Sequence, residues 1–335
     1  MTAPMVIDVH AHFYPTAYLR VLESAGYARD TIYSTADPGK PDDPDATHYK
    51  VRDRAFTDLG VRIAAMDLQR VTMQAVSLPP PYAFARDGAL LVRLTRAFND
   101  AASAAHLEHP DRIVGLAALP VHDPAAAIAE LERAHGLPGI RGVSLGTRFA
   151  ERDLSDPAFF PLYERIAALG MPVFLHYAPL TVIGSKDRLA KFHLSNLIGN
   201  TTETAIAAAH LIFGGVLDAF PALEVSLPHS GGVFPILAGR FDRGHRVREE
   251  CKHLPHPPSH YLRRFTYDTV CHSAEVMNYL LRIAGPDRLV LGSDYCFDMG
   301  DDRPVELVEQ LTGLSPAERG GILGNNAAKL LRIGL

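Results

Sequence analysis

The chain has 335 residues and a formal net charge of -5, with no Lys/Arg block, no apolar stretch long enough to span a bilayer, and no charged segment followed by an apolar one at its start. These features argue against nucleic acid or a membrane as partner and predict a soluble, cytoplasmic protein. Three cysteines, Cys251, Cys271 and Cys296, without CxxC spacing argue against a disulfide framework or a zinc ribbon, whereas the sixteen histidines are numerous enough that their placement carries the functional argument.

Short apolar, β-branched runs recur along the chain. The first is VIDVHAHF at residues 6–13. Next come TMQAVSLP from Thr72, RIVGLAALP from Arg112, IRGVSLGT from Ile140, PVFLHYA from Pro172, EVSLPHSG from Glu224, FTYDTVCH from Phe265 and RLVLGSD from Arg288. Between them lie Ala/Leu/Arg-rich segments of helical length, for example residues 88–109, 124–135, 157–169 and 201–220. Eight strand patterns alternating with helical ones predict a parallel sheet with right-handed crossovers, closed into a (β/α)8 TIM barrel of the α/β class. An open doubly wound sheet would need a glycine-rich phosphate turn after the first strand, and no GxGxxG stands there. Residues 14–60 show no clear strand–helix pair and carry DPGKPDDPD at 37–45, a turn or mobile loop by composition. They are expected to form an insertion, or lid, after the first strand of a single domain spanning 1–335.

Side chains alternate between the two faces of a strand. In the first run this groups Asp8, His10 and His12 on one face, expected to point to the barrel axis, and Ile7, Val9 and Ala11 on the other, expected under the helices. His176, His229 and Asp294 end three further strands, at the rim where barrel enzymes place their chemistry. Imidazole nitrogens and one carboxylate suit a borderline cation, zinc before manganese or iron, so His10, His12, His176 and Asp294 are the expected ligands of one divalent ion. Four ligands leave room for a water whose pKa the ion would lower to roughly 7. His229 is the spare imidazole, a candidate general base. Asp8 lies deeper and is expected to support the ligands from behind, and His272, after the seventh strand, is a further histidine near the rim.

These residues resemble the amidohydrolase superfamily, and within it the branch related to aminocarboxymuconate semialdehyde decarboxylase. The resemblance runs over nearly the whole chain: IDVHAHFYP at 7–15, VRIAAMD at 61–67, FNDAASAAHLEHPDRIVGLAALP at 98–120, FGGVLDAFPALEVSLPHSGG at 213–232, GPDRLVLGSDYCFDMG at 285–300 and GILGNNAAKLL at 321–331. It implies a distorted (β/α)8 barrel with one zinc on His10, His12, His176 and Asp294, and His229 as the histidine that activates the metal-bound water. The fourth strand, IRGVSLGT, has no lysine to bridge a second ion. It also implies a homodimer in which Arg240, in LAGRFDRG, reaches the neighbouring subunit's site to hold a carboxylate. The branch's other substrate arginine, in the insertion, is replaced: counting back from VRIAAMD puts Tyr49 or Lys50 there. Its tryptophan past the fifth-strand histidine is absent, and His176-Tyr177 stands instead; Cys296 stands where a proline is usual. The expected pocket therefore has His229 and Asp294 as catalytic residues and Arg240, Tyr177, Tyr49 and Phe297 around the substrate. The expected activity is nonoxidative decarboxylation of a small unsaturated or aromatic carboxylate; hydrolysis of an amide, lactone or carbon–carbon bond by the same mononuclear site is the alternative.

Overall fold

A computed structural model describes residues 5–28, 30–34, 48–51, 53–79, 87–149, 152–177, 182–184 and 187–334, with only the backbone described for 31–34 and 48–50. Each of the eight apolar runs forms a strand: β1 (Ile7–His12), β2 (Met73–Ser77), β3 (Ile113–Ala118), β4 (Ile140–Gly146), β5 (Val173–His176), β6 (Val225–Leu227), β7 (Phe265–Asp268) and β8 (Leu289–Val290). They pair in parallel in chain order, β1 to β8. The circle is completed by hydrogen bonds from Val9 N to Leu291 O (2.9 Å), Asp294 N to His10 O (2.8 Å) and His12 N to Tyr295 O (2.5 Å). This is the expected (β/α)8 barrel.

The crossover helices begin where short polar side chains can accept from their free N–H groups. Asp58 caps α2 (Leu59–Leu68), which follows α1 (Thr16–Ser24); Asp87 caps α3 (Gly88–Glu108); Asp123, followed by Pro124, caps α4 (Pro124–His135). Each such cap contributes about 1 kcal/mol to its helix. The later long helices are α5 (Phe160–Leu169), α6 (Thr201–Phe213), α7 (Phe234–Val247) and α8 (Ala274–Ala284). Apolar side chains sort into two clusters, a large one between strands and helices and a smaller one of Ile7, Val9, Met73, Ala75, Val114, Leu116, Phe174 and Val290, joined by Ala327, Ala328 and Leu331 near the C-terminus.

The smaller cluster corrects the strand alternation read from the sequence. Val9, His10, Leu116, Phe174, His176, Ser226 and Asp268 surround one small cavity, a convergence of many strands that only the barrel interior provides. Ile7 and Val9 thus face inward, not towards the helices. Asp8 instead pairs with Gln74, whose other end is held by Arg62 of α2, in the outer layer. The cause is a register shift: Asp8 is opposite Gln74, but Ala11 is opposite Val76. One extra residue in β1 is a β-bulge. It switches the inward set from odd to even positions, so that Val9, His10 and His12 all reach the axis.

The insertion after β1 has more regular structure than its composition predicts, with helix α1 and a two-stranded antiparallel ribbon of Thr31–Ser34 and His48–Lys50. The loop at 37–45 lies outside the described residues. No helix among the described residues is long and apolar enough to cross a membrane.

Candidate metal centre

β1 ends on His10 and His12, β5 ends on His176, and the chain beyond β8 delivers Asp294. All four side chains are buried, and one ligand atom from each lies within 4.8 Å of every other. Among the described residues this is the group of His, Cys, Asp and Glu side chains that could hold an ion.

The imidazoles are tied by one nitrogen and present the other. His10 Nδ1 lies 2.6 Å from Asp268 Oδ2, His12 Nδ1 lies 3.1 Å from Ser77 Oγ, and His176 Nδ1 lies 3.0 Å from the Tyr177 carbonyl. The Asp268 and Tyr177 oxygens accept, and the Ser77 hydroxyl gives its own hydrogen to the Ala11 carbonyl at 3.3 Å, which assigns the N–H to Nδ1 in all three rings and turns Nε2 to the centre. His12 Nε2 is 3.0 Å and His10 Nε2 is 3.3 Å from Asp294 Oδ1. His176 Nε2 is buried with no hydrogen-bond partner among the described residues, and His10 Nε2 likewise has none of normal geometry. Buried polar atoms are seldom left so. Converging Nε2 atoms around a carboxylate fit a single divalent ion.

Protonation equilibria agree with that fit. Burial pushes the His12 imidazole down to about 4 despite the neighbouring Asp294, and burial with the adjacent imidazoles holds His176 well below its ordinary value. Both are neutral ligands at pH 7. For His10 burial acts downward, but Asp294 and Asp268 outweigh it and raise the imidazole to about 9. Burial opposes the charge of Asp294 too, yet His10, His12 and His229 keep it well below the usual carboxylate range. In the metal-free centre the Asp294 and Asp268 carboxylates thus favour the imidazolium form of His10 at neutral pH.

His229 opens the turn after β6. Its Nε2 is 3.8 Å from Asp294 Oδ2, and its ring centroid is 5.2 Å from that of His10. His229 (φ 52°), Ser230 (φ 56°) and Asp294 (φ 58°) all adopt left-handed backbone, which costs a residue with a side chain about 1 kcal/mol or more. Two glycines follow, and the second has no alternative: a Cβ on Gly232 (φ 58°) would lie 2.1 Å from the Thr201 carbonyl. The HSGG pattern thus lets the chain pass under α6 into α7 while His229 stays at the rim.

Asp268 was not singled out from the sequence, although it ends β7 at the same rim. It is buried, and four donors converge on it: His10 Nδ1 and His229 N (3.0 Å) at Oδ2, and Ser230 N (2.9 Å) and Val270 N (3.1 Å) at Oδ1. One carboxylate thus ties a ligand ring to the backbone of His229. Asp8, expected behind the ligands, does support them, but from the outer side of β1.

The remaining predicted positions are distributed around this centre. The Tyr177 ring is 4.4 Å from the His176 ring and 6.2 Å from that of His229. Phe297 stands edge-on to His12 at 5.2 Å and to Phe56 at 5.5 Å. Arg240 is exposed on α7, and the Tyr49 side chain lies outside the described residues. His272 is not in the metal cluster; it lines a separate polar cavity with Ser273, Asp301 and Arg303.

A sequence profile described as Amidohydrolase matches residues 7–333. The chain belongs to the amidohydrolase family. Relatives of this family member include 2-amino-3-carboxymuconate-6-semialdehyde decarboxylase of Dictyostelium discoideum, 30% identical over 329 residues that cover 97% of this chain and 91% of that protein. γ-Resorcylate decarboxylase of Polaromonas sp. strain JS666 is 30% identical over 309 residues, 87% of this chain and 92% of its own. Among solved structures, the apo form of Metarhizium anisopliae IDCase superposes with a TM-score of 0.84 at 26% identity, covering 99% of this amidohydrolase and 98% of that chain.

Proposed function

We propose that this amidohydrolase is a zinc-dependent nonoxidative decarboxylase of a small unsaturated or aromatic carboxylate, acting as a cytoplasmic homodimer. The observation that carries the reading is a single buried His3Asp centre with a fourth imidazole, His229, beside its carboxylate, in a chain aligned nearly end to end with proteins named as decarboxylases. A divalent ion held by His10, His12, His176 and Asp294 would supply Lewis-acid polarisation of a substrate oxygen.

The rest falls to side chains. Replacing C–COO⁻ by C–H consumes one proton and no water. In this reading His229 holds that proton at Nε2, 3.8 Å from Asp294 Oδ2. It passes the proton to the carbon bearing the carboxylate; the electrons of the breaking C–C bond then restore the unsaturated system as CO2 leaves. Asp268 keeps the imidazole in place through the backbone N–H groups of His229 and Ser230. Phe297 and Phe56 give the site an apolar wall next to His12, suited to a planar unsaturated substrate, and the Tyr177 ring lies beside those of His176 and His229. Arg240 of a second protomer would grip the substrate carboxylate with a two-pronged, charge-assisted contact. Its setting supports this: Ile236, one turn away on the same face of α7, is 71% exposed, and an apolar groove of about 370 Å³ lined by Ala205, Ile206, Phe213, Leu237 and Phe241 runs alongside.

The test is product chemistry in D2O containing ¹⁸O, on a panel of aromatic and unsaturated carboxylates. The expected result is free CO2 and one solvent deuterium at the vacated carbon. A new carboxylate carrying solvent ¹⁸O, with or without a released amine, would replace this function with hydrolysis.

A further inference from the structure

Arg62 is fully buried, yet nothing in the chemistry above uses it. It lies in α2, between the Phe13 ring (5.4 Å) and the Tyr295 ring (4.9 Å). Nη1 donates to Gln74 Oε1 at 2.9 Å, and Nη2 donates to the carbonyl of His12, which the Cys296 thiol also approaches at 3.6 Å. Gln74 passes the link on, its Nε2 donating to Asp8 Oδ2 at 2.9 Å. Asp8 receives His10 N at 3.0 Å and Ser293 N at 3.1 Å on Oδ1, and Ser293 Oγ at 2.6 Å on Oδ2. Ser293 Oγ in turn accepts from Tyr295 N at 3.1 Å.

These contacts fall on particular places in the chain. They grip the amide of His10, the carbonyl of His12, and the amides on either side of Asp294. Three of the four ligand positions are thus held at their backbone by one continuous network of buried side chains. The network also spans the β-bulge of β1, the irregularity that turns both His10 and His12 to the barrel axis, and the seam where β8 meets β1. Gln74 and Ser293 are wholly buried, out of reach of bulk water.

We infer that Arg62, Gln74, Asp8 and Ser293 are positioning residues that set the spacing of His10 and His12 against Asp294, and thereby the affinity and coordination geometry of the metal centre. The inference rests on the metal-centre reading. A contact made only for stability would act differently: it would change how much protein folds, not how the folded protein binds its ion.

The decisive variant is Gln74→Leu, which cuts the network in the middle and keeps the residue's approximate volume. Cobalt(II) serves as probe because its visible absorption reports coordination geometry. Zinc affinity is measured by chelator competition on the folded fraction, alongside melting of the metal-free protein. The expected result is a 10–100-fold loss of zinc affinity, the size seen when groups supporting metal ligands are removed, with a shifted cobalt spectrum. Ser293→Ala removes only the hydroxyl between Asp8 and Tyr295 N and gives the same readout should Gln74→Leu not fold. Arg62→Lys, which can reach one of the two acceptors but not both, should fall between wild type and Gln74→Leu. A lowered melting temperature with zinc affinity within twofold of wild type and an unchanged cobalt spectrum would overturn the positioning role. Failure of the wild-type protein to bind cobalt would instead sink the metal centre itself.

Discussion

Replacing Asp268 by Asn tests the link between the metal ligands and His229. Four donors converge on the two oxygens of this carboxylate, two on each. An amide offers one oxygen and one NH2. Whichever way it turns, two donors face another donor. At about 1–3 kcal/mol for each buried donor left unsatisfied, the metal-free protein should lose roughly 2–6 kcal/mol of stability. In either orientation His10 also loses the negative charge behind its Nδ1–H, and with it basicity at Nε2. Loss of such a partner typically weakens metal affinity 10–100-fold, about 1.4–2.7 kcal/mol. Asp268 is also one of the groups that raise the His10 imidazole to about 9, so the variant relieves some proton competition at neutral pH. Affinity should therefore be compared near pH 9, by zinc titration against a chelator, with thermal melts of the metal-free proteins in parallel. Affinity within twofold of wild type and an unchanged melting temperature would refute the reasoning.

Three further outcomes are expected. His229→Asn should keep its metal and lose about 10²–10⁴-fold in turnover, the contribution of a positioned proton-transfer group; a metal-free variant would make His229 a ligand instead, and normal turnover would remove its role. Because His10 is protonated below about 9 in the metal-free centre while His12 stays neutral down to about 4, binding one ion between pH 6 and 8 should release about one proton. Apparent affinity should then rise about tenfold per pH unit and level off above 9; an affinity independent of pH over that range would contradict the assigned proton. For Arg240, mixing inactive Arg240→Ala with inactive His229→Asn under subunit exchange should restore one working site per hybrid dimer. Loss of the Arg contact in the homodimer should cost about 2–5 kcal/mol in transition-state binding. No recovery despite proven exchange would place Arg240 outside the neighbour's site.

The strands were legible because each is a short β-branched run closed by turn residues, and the ligands were legible because they end those runs. What stayed hidden depends on tertiary structure. A single extra residue in β1 inverts the inward face, and no local pattern in IDVHAH announces it. Arg62 reads as an ordinary helix-face arginine in VRIAAMD; only the packing of α2 over β1 and β2 buries it. Asp268 could have been found by applying the strand-end rule to FTYD as it was applied to VFLH. In the insertion, Tyr18, Leu19 and Leu22 follow helical spacing, and all three are buried in α1, but the Pro/Gly/Asp-rich stretch further on dominated the composition of the segment. Arg240 is a different matter, since its proposed role lies across an interface that a single chain does not contain.

The account stands most directly on the ion. Wild-type protein should be stripped with a chelator, assayed, reloaded with graded zinc, manganese or iron, and assayed again with metal content measured at every step. One ion per chain, with decarboxylation absent from the stripped protein and rising in proportion to occupancy up to that single equivalent, is the predicted result. Full activity in metal-free protein, or a requirement for two ions per chain, would contradict it.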